Sequence, residues 1–263
     1  MKLSKPLLIL IACAIIGSAL LLASRKPNTE KVAIEKPEQV ADDQFLKDVE
    51  TLVVALPDNE KLMVNNWQQT AQFDSLVKFW DKQMRPGISA EFAKKLAEQK
   101  GNIAPLWVDA GTRFRNLMPF FKPEDRGLIG NKAEQCYQKA LDIKPADLDA
   151  KTQLAVHYVE NTEDPMKGIT LLREVVTTDS NNIAAQLNLG FFSMKSGQFD
   201  KAVNRFEKVV KLAPNQREAL LYLADAQAGK GDKESATKNY REFLKYNSDE
   251  EVRREVETRI KNL

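Results

Sequence analysis

The chain has 263 residues, of which 39 are basic and 37 acidic, so its formal net charge is only +2. A nucleic-acid-binding domain usually carries a clear excess of basic residues on one face, so we expect no nucleic-acid partner. The chain has a single histidine, His157, and two cysteines, Cys13 and Cys136. Metal sites and disulfide frameworks need more such side chains than this, so we expect no metal ion and no disulfide framework.

The N-terminal region contains an uncharged, mostly apolar run of 17 residues, Leu7 to Ala23. A helix of that length spans about 25 Å, near the lower limit for crossing a bilayer. We therefore predict that residues 1–26 form a transmembrane anchor. The following residues, 27–43, are polar and contain two prolines, which is typical of a flexible linker.

Two other interpretations of the N-terminal run stay open. A cleaved signal sequence has a similar apolar region, although residues 21–24 (Leu-Leu-Ala-Ser) make a poor cleavage site. Residues 10–13 (Leu-Ile-Ala-Cys) resemble a bacterial lipobox, in which Cys13 would carry the lipid. Basic residues flank both ends of the run, so charge does not fix its orientation. We expect a single-pass protein of the bacterial inner membrane, with the remainder in the periplasm.

The C-terminal half contains a pattern of small and large residues in two units that begin 34 residues apart, at Ile183 and Arg217. In the first unit the pattern residues are Ala185, Leu189, Gly190, Gly197, Phe199, Ala202, Phe206 and Pro214. In the second they are Ala219, Leu223, Ala224, Gly231, Ala236 and Tyr240. Small residues let two helices approach closely, and the large ones fill the space beside them.

This pattern resembles the tetratricopeptide-repeat (TPR) family. Weaker units precede the two strong ones, and the turn expected at residues 116–132 is long and rich in Pro, Gly and aromatic residues. The resemblance implies an all-α, right-handed solenoid of antiparallel helix pairs. We predict these segments: an N-terminal helical region with a degenerate repeat (44–102), TPR repeats (103–248) and a C-terminal capping helix (249–263).

The resemblance also implies which side chains face the concave surface, because the family presents fixed positions of each first helix there. The predicted partner-binding residues are Thr152, Val156, Val159, Leu187, Asn188, Phe191, Met194, Leu221 and Asp225. Among them, Val156, Leu187, Phe191, Met194 and Leu221 form an apolar strip. Such a strip suits an amphipathic helix or an extended apolar peptide. The alternative occupants are this chain's own residues 43–56 or a second copy of the protein.

Catalytic motifs are missing from the sequence: no phosphate-binding loop, dinucleotide fingerprint, zinc-protease motif or nucleophile elbow occurs. We therefore expect no catalytic residue and no cofactor. The sequence favours a non-catalytic, membrane-anchored scaffold or adaptor that binds protein partners. A structural subunit of a larger membrane-associated complex, or a secreted or periplasmic TPR protein after signal cleavage, remains open, and self-association is possible.

The anchor prediction is tested by the mass of the mature chain and by carbonate extraction of membranes. We expect an N-terminus at Met1 or Lys2 and a chain that stays in the membrane fraction. A mature N-terminus near Ser24 would show a cleaved signal, and a lipid on Cys13 would show a lipoprotein.

Overall fold

A computed structural model describes residues 49–162 and 164–263 of the chain. Residues 49–54 are helical, and the remaining regular structure in this part is also helical. The α-helices are α1 (Asp58–Gln69), α2 (Phe73–Lys82), α3 (Pro86–Lys100), α4 (Ala104–Leu117), α5 (Pro123–Ile143), α6 (Leu148–Asn161), α7 (Pro165–Thr178), α8 (Ile183–Lys195), α9 (Phe199–Leu212), α10 (Glu218–Lys230), α11 (Lys233–Leu244) and α12 (Glu250–Lys261). The predicted all-α class is confirmed for these residues.

The helices from α4 onward are arranged as consecutive pairs: α4 with α5, α6 with α7, α8 with α9, and α10 with α11. Each pair also contacts the next one along the chain, as α9 does with α10. A single pair cannot bury its own apolar face, so stacking is what completes the core. The described helices therefore form a solenoid of repeated helix pairs.

The ends of the helices follow local sequence signals. Carboxylate or amide side chains accept hydrogen bonds from the first-turn N–H groups of α6, α8 and α11; the residues are Asp147, Asn182 and Asp232. These contacts satisfy donors that have no partner inside the helix. The turns after α8 and α10 contain Gly197 and Gly231 with φ of +73° and +92°, values that L-residues with side chains rarely adopt.

Glycines lie where the two helices of a pair cross. An added Cβ at Gly190 would lie 2.6 Å from the Phe206 ring, and one at Gly111 would lie 2.8 Å from the Tyr137 ring. At Gly168 an added Cβ would overlap the Ala155 carbonyl oxygen of the backbone. The small residues that the sequence places at these crossings therefore permit contacts that no larger residue allows.

The segment 116–132 differs from its prediction as a long turn. A short 3₁₀ helix, Met118–Phe120, follows α4, and α5 already begins at Pro123. Proline is favoured in the first turn of a helix because its missing N–H would have no partner there. Gly130 lies inside α5 where an added Cβ would be 3.3 Å from Met118 and 3.4 Å from His157, so its small size serves packing and not a turn.

The N-terminal helices have a core of their own kind, rich in aromatic residues. Trp80 and Phe79 are buried and lie at 5.1 Å between ring centroids, and Trp67 contacts Phe79 at 6.0 Å. Val49 and Val53 are buried in the same cluster. Residues 49–56 therefore pack at the N-terminal end of the stack and do not cover the α8 concave positions.

The C-terminal helix α12 lies within the segment predicted to cap the stack. Asp249 accepts hydrogen bonds from the N–H groups of Glu251 and Val252 at its start. Val256 is buried against the last helix pair, and Ile260 packs beside it. The outer face of α12 is charged, as a terminal unit requires.

The predicted anchor and linker, residues 1–26 and 27–43, lie outside the described residues. Within the part of the chain that the structure does describe, none of the helices is long and apolar enough to cross a membrane.

The helix-crossing geometry gives a stability prediction at Gly168. Gly168→Ala should lower the free energy of unfolding by roughly 1–3 kcal/mol, because the new methyl group meets backbone that cannot rotate away. Gly87→Ala is the matched control, since an added Cβ there meets nothing within 4 Å. The control should be neutral or stabilise by up to about 1 kcal/mol, because alanine favours helix. Equal effects of the two substitutions in denaturant titrations would contradict the crossing geometry.

Candidate partner-binding site

The predicted concave residues of α6 are buried. Thr152, Val156 and Val159 are 1%, 7% and 7% exposed, so their side chains do not line an open surface. The cause is the position of α6 in the middle of the stack, where it contacts the first helices α4 and α8 as well as its own partner α7. The predicted strip of accessible apolar side chains therefore does not extend to α6.

An apolar patch does remain partly accessible on the next two first helices. Its members, here called the α8–α10 patch, are Leu187, Phe191, Met194, Leu221 and Tyr222. All five side chains are partly buried, and four of them rest on a buried cluster that includes Phe206. Leu221 packs against the neighbouring C-terminal cluster.

Phe191 is held at the centre of the patch by two other rings. It lies at 4.8 Å between centroids and 78° from Tyr222, an edge-to-face contact, and at 5.3 Å from Phe206. The sequence pattern alone places Phe191 toward solvent, whereas these contacts cover part of it. Replacing Phe191 would therefore lower stability as well as any affinity for a partner, which makes it a poor position for a clean test of binding.

Tyr222 joins the patch through its contact with Phe191, although the concave positions of the repeat do not include it. Burial raises the pKa of Tyr222 to about 12, and the nearby carboxylates of Glu218 and Asp225 add to the rise. The phenol is thus neutral at physiological pH and acts as an apolar ring with one hydrogen-bonding group. The signal in the sequence is its place directly after Leu221 in α10.

The remaining predicted site residues already have partners. The amide nitrogen of Asn188 donates to the Ala184 carbonyl oxygen at 2.8 Å, within its own helix. Asp225 accepts a hydrogen bond from the Tyr240 hydroxyl at 2.6 Å and two from Arg259 at 3.0 and 3.1 Å. Asp225 therefore fixes α12 to the last repeat, and its carboxylate is not available to a ligand in this conformation.

Charged side chains border the α8–α10 patch. Glu218 is exposed at the start of α10, and Lys195 is exposed at the end of α8. An apolar centre with a charged edge is the usual arrangement of a protein-binding surface. The geometry therefore suits a partner that buries apolar side chains between the two charges.

The two groups with the greatest chemical potential lie in the core. His157 is buried, which lowers its pKa, and its Nδ1 has no hydrogen-bond partner among the described residues. Cys136 is buried, and burial raises its thiol pKa to about 12, so the reactive thiolate is scarce. No group of three or more potential metal ligands occurs in residues 49–162 and 164–263.

Comparison with known families supports the repeat type. Residues 193–253 match a family model described as tetratricopeptide repeat. The described chain is a TPR-like solenoid. That match includes the end of α8 and all of α9 to α11, where the sequence pattern is strongest.

Solved structures support the same fold for these TPR pairs. A structure of pilF from Pseudomonas aeruginosa has a TM-score of 0.56 and 17% identity, covering 72% of this chain and 82% of that one. MamA from Desulfovibrio magneticus RS-1 has a TM-score of 0.52 and 16% identity, covering 66% of this chain and 93% of that one. At such identities the likeness shows the fold alone.

Curated relatives match over part of their length. Superkiller protein 3 of Schizosaccharomyces pombe is 23% identical over 146 residues, which are 53% of this chain and 10% of the relative. Mitochondrial import receptor subunit TOM70 of Rattus norvegicus is 28% identical over 97 residues, 36% of this chain and 16% of the relative. The chain therefore spans a small fraction of the length of these TPR relatives.

The contact between Asp225 and Arg259 gives a prediction for the last repeat. Their side chains are 16% and 15% exposed, so Arg259→Leu leaves a mostly buried carboxylate without its cation. We expect a loss of about 2–4 kcal/mol, somewhat below the full range for a buried pair because some exposure remains. Hydrogen exchange should quicken in α10 to α12 and stay unchanged in α4 to α7.

Lys245→Ala is the matched control for Arg259→Leu. Lys245 pairs with Glu242 at 2.7 Å, but its side chain is 66% exposed, and such pairs contribute little. Equal exchange rates in the two variants would show that Arg259 does not hold the C-terminal helix.

Proposed function

We propose that this protein is a non-catalytic TPR scaffold or adaptor, held to a membrane by residues 7–23, that binds a protein partner through the α8–α10 patch. The observation that carries the proposal is the patch itself. Its aromatic and aliphatic side chains lie at or beside concave positions of two adjacent first helices, and the chain's own helices cover them only in part. Partly open aromatic residues at the centre of such a surface commonly dominate binding.

The shape and chemistry of the patch favour an amphipathic helix or an extended apolar peptide as the bound segment. Leu187, Phe191 and Met194 lie along one face of α8, with Leu221 and Tyr222 beside them on α10. A single apolar side chain of the partner can therefore contact both helices at once. This arrangement makes affinity depend on the spacing of the two helices, and hence on the integrity of the stack.

The proposed location is the bacterial inner membrane, with the repeats in the periplasm. Support comes from the apolar run at residues 7–23 and from its short, basic N-terminal flank. Cleavage of that run would instead give a secreted or periplasmic TPR protein. The same partner-binding surface would serve in either case, because the described repeats begin well after it.

A structural subunit of a larger membrane-associated complex is the second candidate function. The feature that favours it is the buried, ordered contact area along α4 to α11, which suits permanent stacking on another subunit. Purification of the full chain in mild detergent separates the two candidates. A partner that stays at fixed stoichiometry in high salt supports a subunit, and one that exchanges supports an adaptor.

The binding proposal is tested with two methionines at contrasting positions. Met194→Glu puts a charge in the partly buried α8–α10 patch, whereas Met166→Glu changes a methionine that is 55% exposed on the second helix α7. With the partner recovered by purification, Met194→Glu should weaken its binding at least tenfold, or about 1.4 kcal/mol. Met166→Glu should leave the binding unchanged.

Thermal melts of both methionine variants show whether the fold survives. If Met194→Glu binds the partner as well as Met166→Glu does while both remain folded, the partner uses a surface other than the α8–α10 patch.

A further inference from the structure

The two ends of the described solenoid differ in the side chains they expose. At the C-terminal end, α12 is described throughout and leaves no large apolar side chain exposed. Near the N-terminal end, Met84, Val54 and Leu62 are 82%, 71% and 71% exposed, and these are the three most exposed large apolar residues in the described part of the chain. Met63 is a fourth, at 43%. A terminal unit normally carries a polar outer face, so the N-terminal end departs from what a solenoid free in water requires.

These residues belong to neighbouring elements and not to one loop tip. Leu62 and Met63 are consecutive in α1, while Val64 and Trp67 of the same helix pack inward. The amide of Gln83 donates to the Glu60 carboxylate at 3.2 Å, which places the turn containing Met84 beside α1. Val54 ends the helical residues just before α1. The exposed side chains thus form an apolar N-terminal surface, defined here as Val54, Leu62, Met63 and Met84.

The backbone at Met84 emphasises that this exposure is built into the fold. Its φ is +56°, in the left-handed region that residues with a side chain seldom adopt. The N–H of Met84 donates to the Asp81 carbonyl oxygen, and that of Arg85 donates to the Trp80 carbonyl oxygen at 2.9 Å. These bonds hold the turn against the buried Trp80, so Met84 cannot turn inward without breaking them.

We propose that this apolar N-terminal surface lies against the lipid surface of the membrane in which the chain is anchored. The proposal rests on the anchor in the proposed function. Only 25 residues, 24–48, separate the apolar run from the first described residue. A flexible chain of that length has an end-to-end distance of about 25–30 Å, so this end of the solenoid stays near the bilayer. At such an effective concentration a few apolar side chains suffice for contact.

The charges around the surface indicate which lipid chemistry it accepts. Acidic side chains (Asp58, Glu60 and Asp74) alternate with basic ones (Lys61, Lys78 and Lys82), and two of these form pairs within their own helices, Lys61 with Asp58 and Lys78 with Asp74. A surface of mixed sign gains little from anionic lipid. The contact should therefore be apolar, should occur on neutral phosphatidylcholine, and should persist in high salt.

The test uses the full chain in phosphatidylcholine vesicles, with a single fluorescent label on cysteine. Leu62→Cys and Met84→Cys carry the label at the surface, and Met166→Cys carries it at an exposed methionine on α7. Cys13→Ser removes the other thiol outside the core, and buried Cys136 stays unlabelled. With a spin-labelled lipid as quencher, we expect roughly twofold greater quenching at positions 62 and 84 than at 166, unchanged in high salt.

Vesicle flotation separates the possible failures. If the chain does not float with the vesicles, the anchor and the lipid contact are both overturned. Flotation with equal quenching at all three positions overturns the lipid contact alone. Shielding of positions 62 and 84 from a water-soluble quencher without lipid quenching would mean that residues 24–48 or another protein cover the surface. Quenching that changes with the number of chains per vesicle would indicate a second copy instead, and this too overturns the proposal.

Discussion

The close approach of the two helices in each pair is the constraint on which the rest of the structure depends. At Gly111, Gly168 and Gly190 the facing helix comes so near that an added methyl group would overlap it. Large residues such as Tyr137 and Phe206 then fill the space beside each glycine and are fully buried. Because each pair is thin and flat at its crossing, the next pair can stack on it, and the core continues from one repeat to the next.

That spacing also produces the α8–α10 patch. Phe206 packs on Gly190 from one side and meets Phe191 and Tyr222 from the other, so the crossing and the concave surface share one aromatic cluster. In α6 the corresponding concave residues are buried, whereas in α10 Asp225 is bound to Arg259 of the capping helix. The accessible surface is therefore confined between a closed segment and a capped end. A partner would reach it from the concave side alone.

The sequence predicts the repeats well because the repeat signal is steric. Small residues at crossings, glycine in the turns and large residues beside them leave a periodic trace, and α8 to α11 lie where that trace places them. The early start of α5 was not predictable in the same way, because Gly127 and Gly130 suggest a turn until the contact of Gly130 with Met118 is known. Composition favours the turn, and tertiary packing overrides it.

The site was harder to predict than the fold. A repeat position tells which way a side chain points from its own helix, but burial depends on neighbours that are distant in sequence. Thr152, Val156 and Val159 have suitable positions and are covered by adjacent helices. Tyr222 lies outside the listed positions of the repeat pattern and enters the patch through a ring contact. The exposure of Met84 likewise depends on a turn geometry that the hydrophobic pattern does not encode.

The central claim is that the α8–α10 patch is open in the isolated chain and covered in its native membrane. Thiol labelling of Met194→Cys, with Cys13→Ser, measures this directly, because buried Cys136 with a pKa of about 12 gives little background. The account predicts that Met194→Cys reacts in the purified chain and is protected in native membranes, while Met166→Cys reacts in both. Equal reactivity of Met194→Cys in the two preparations would contradict it.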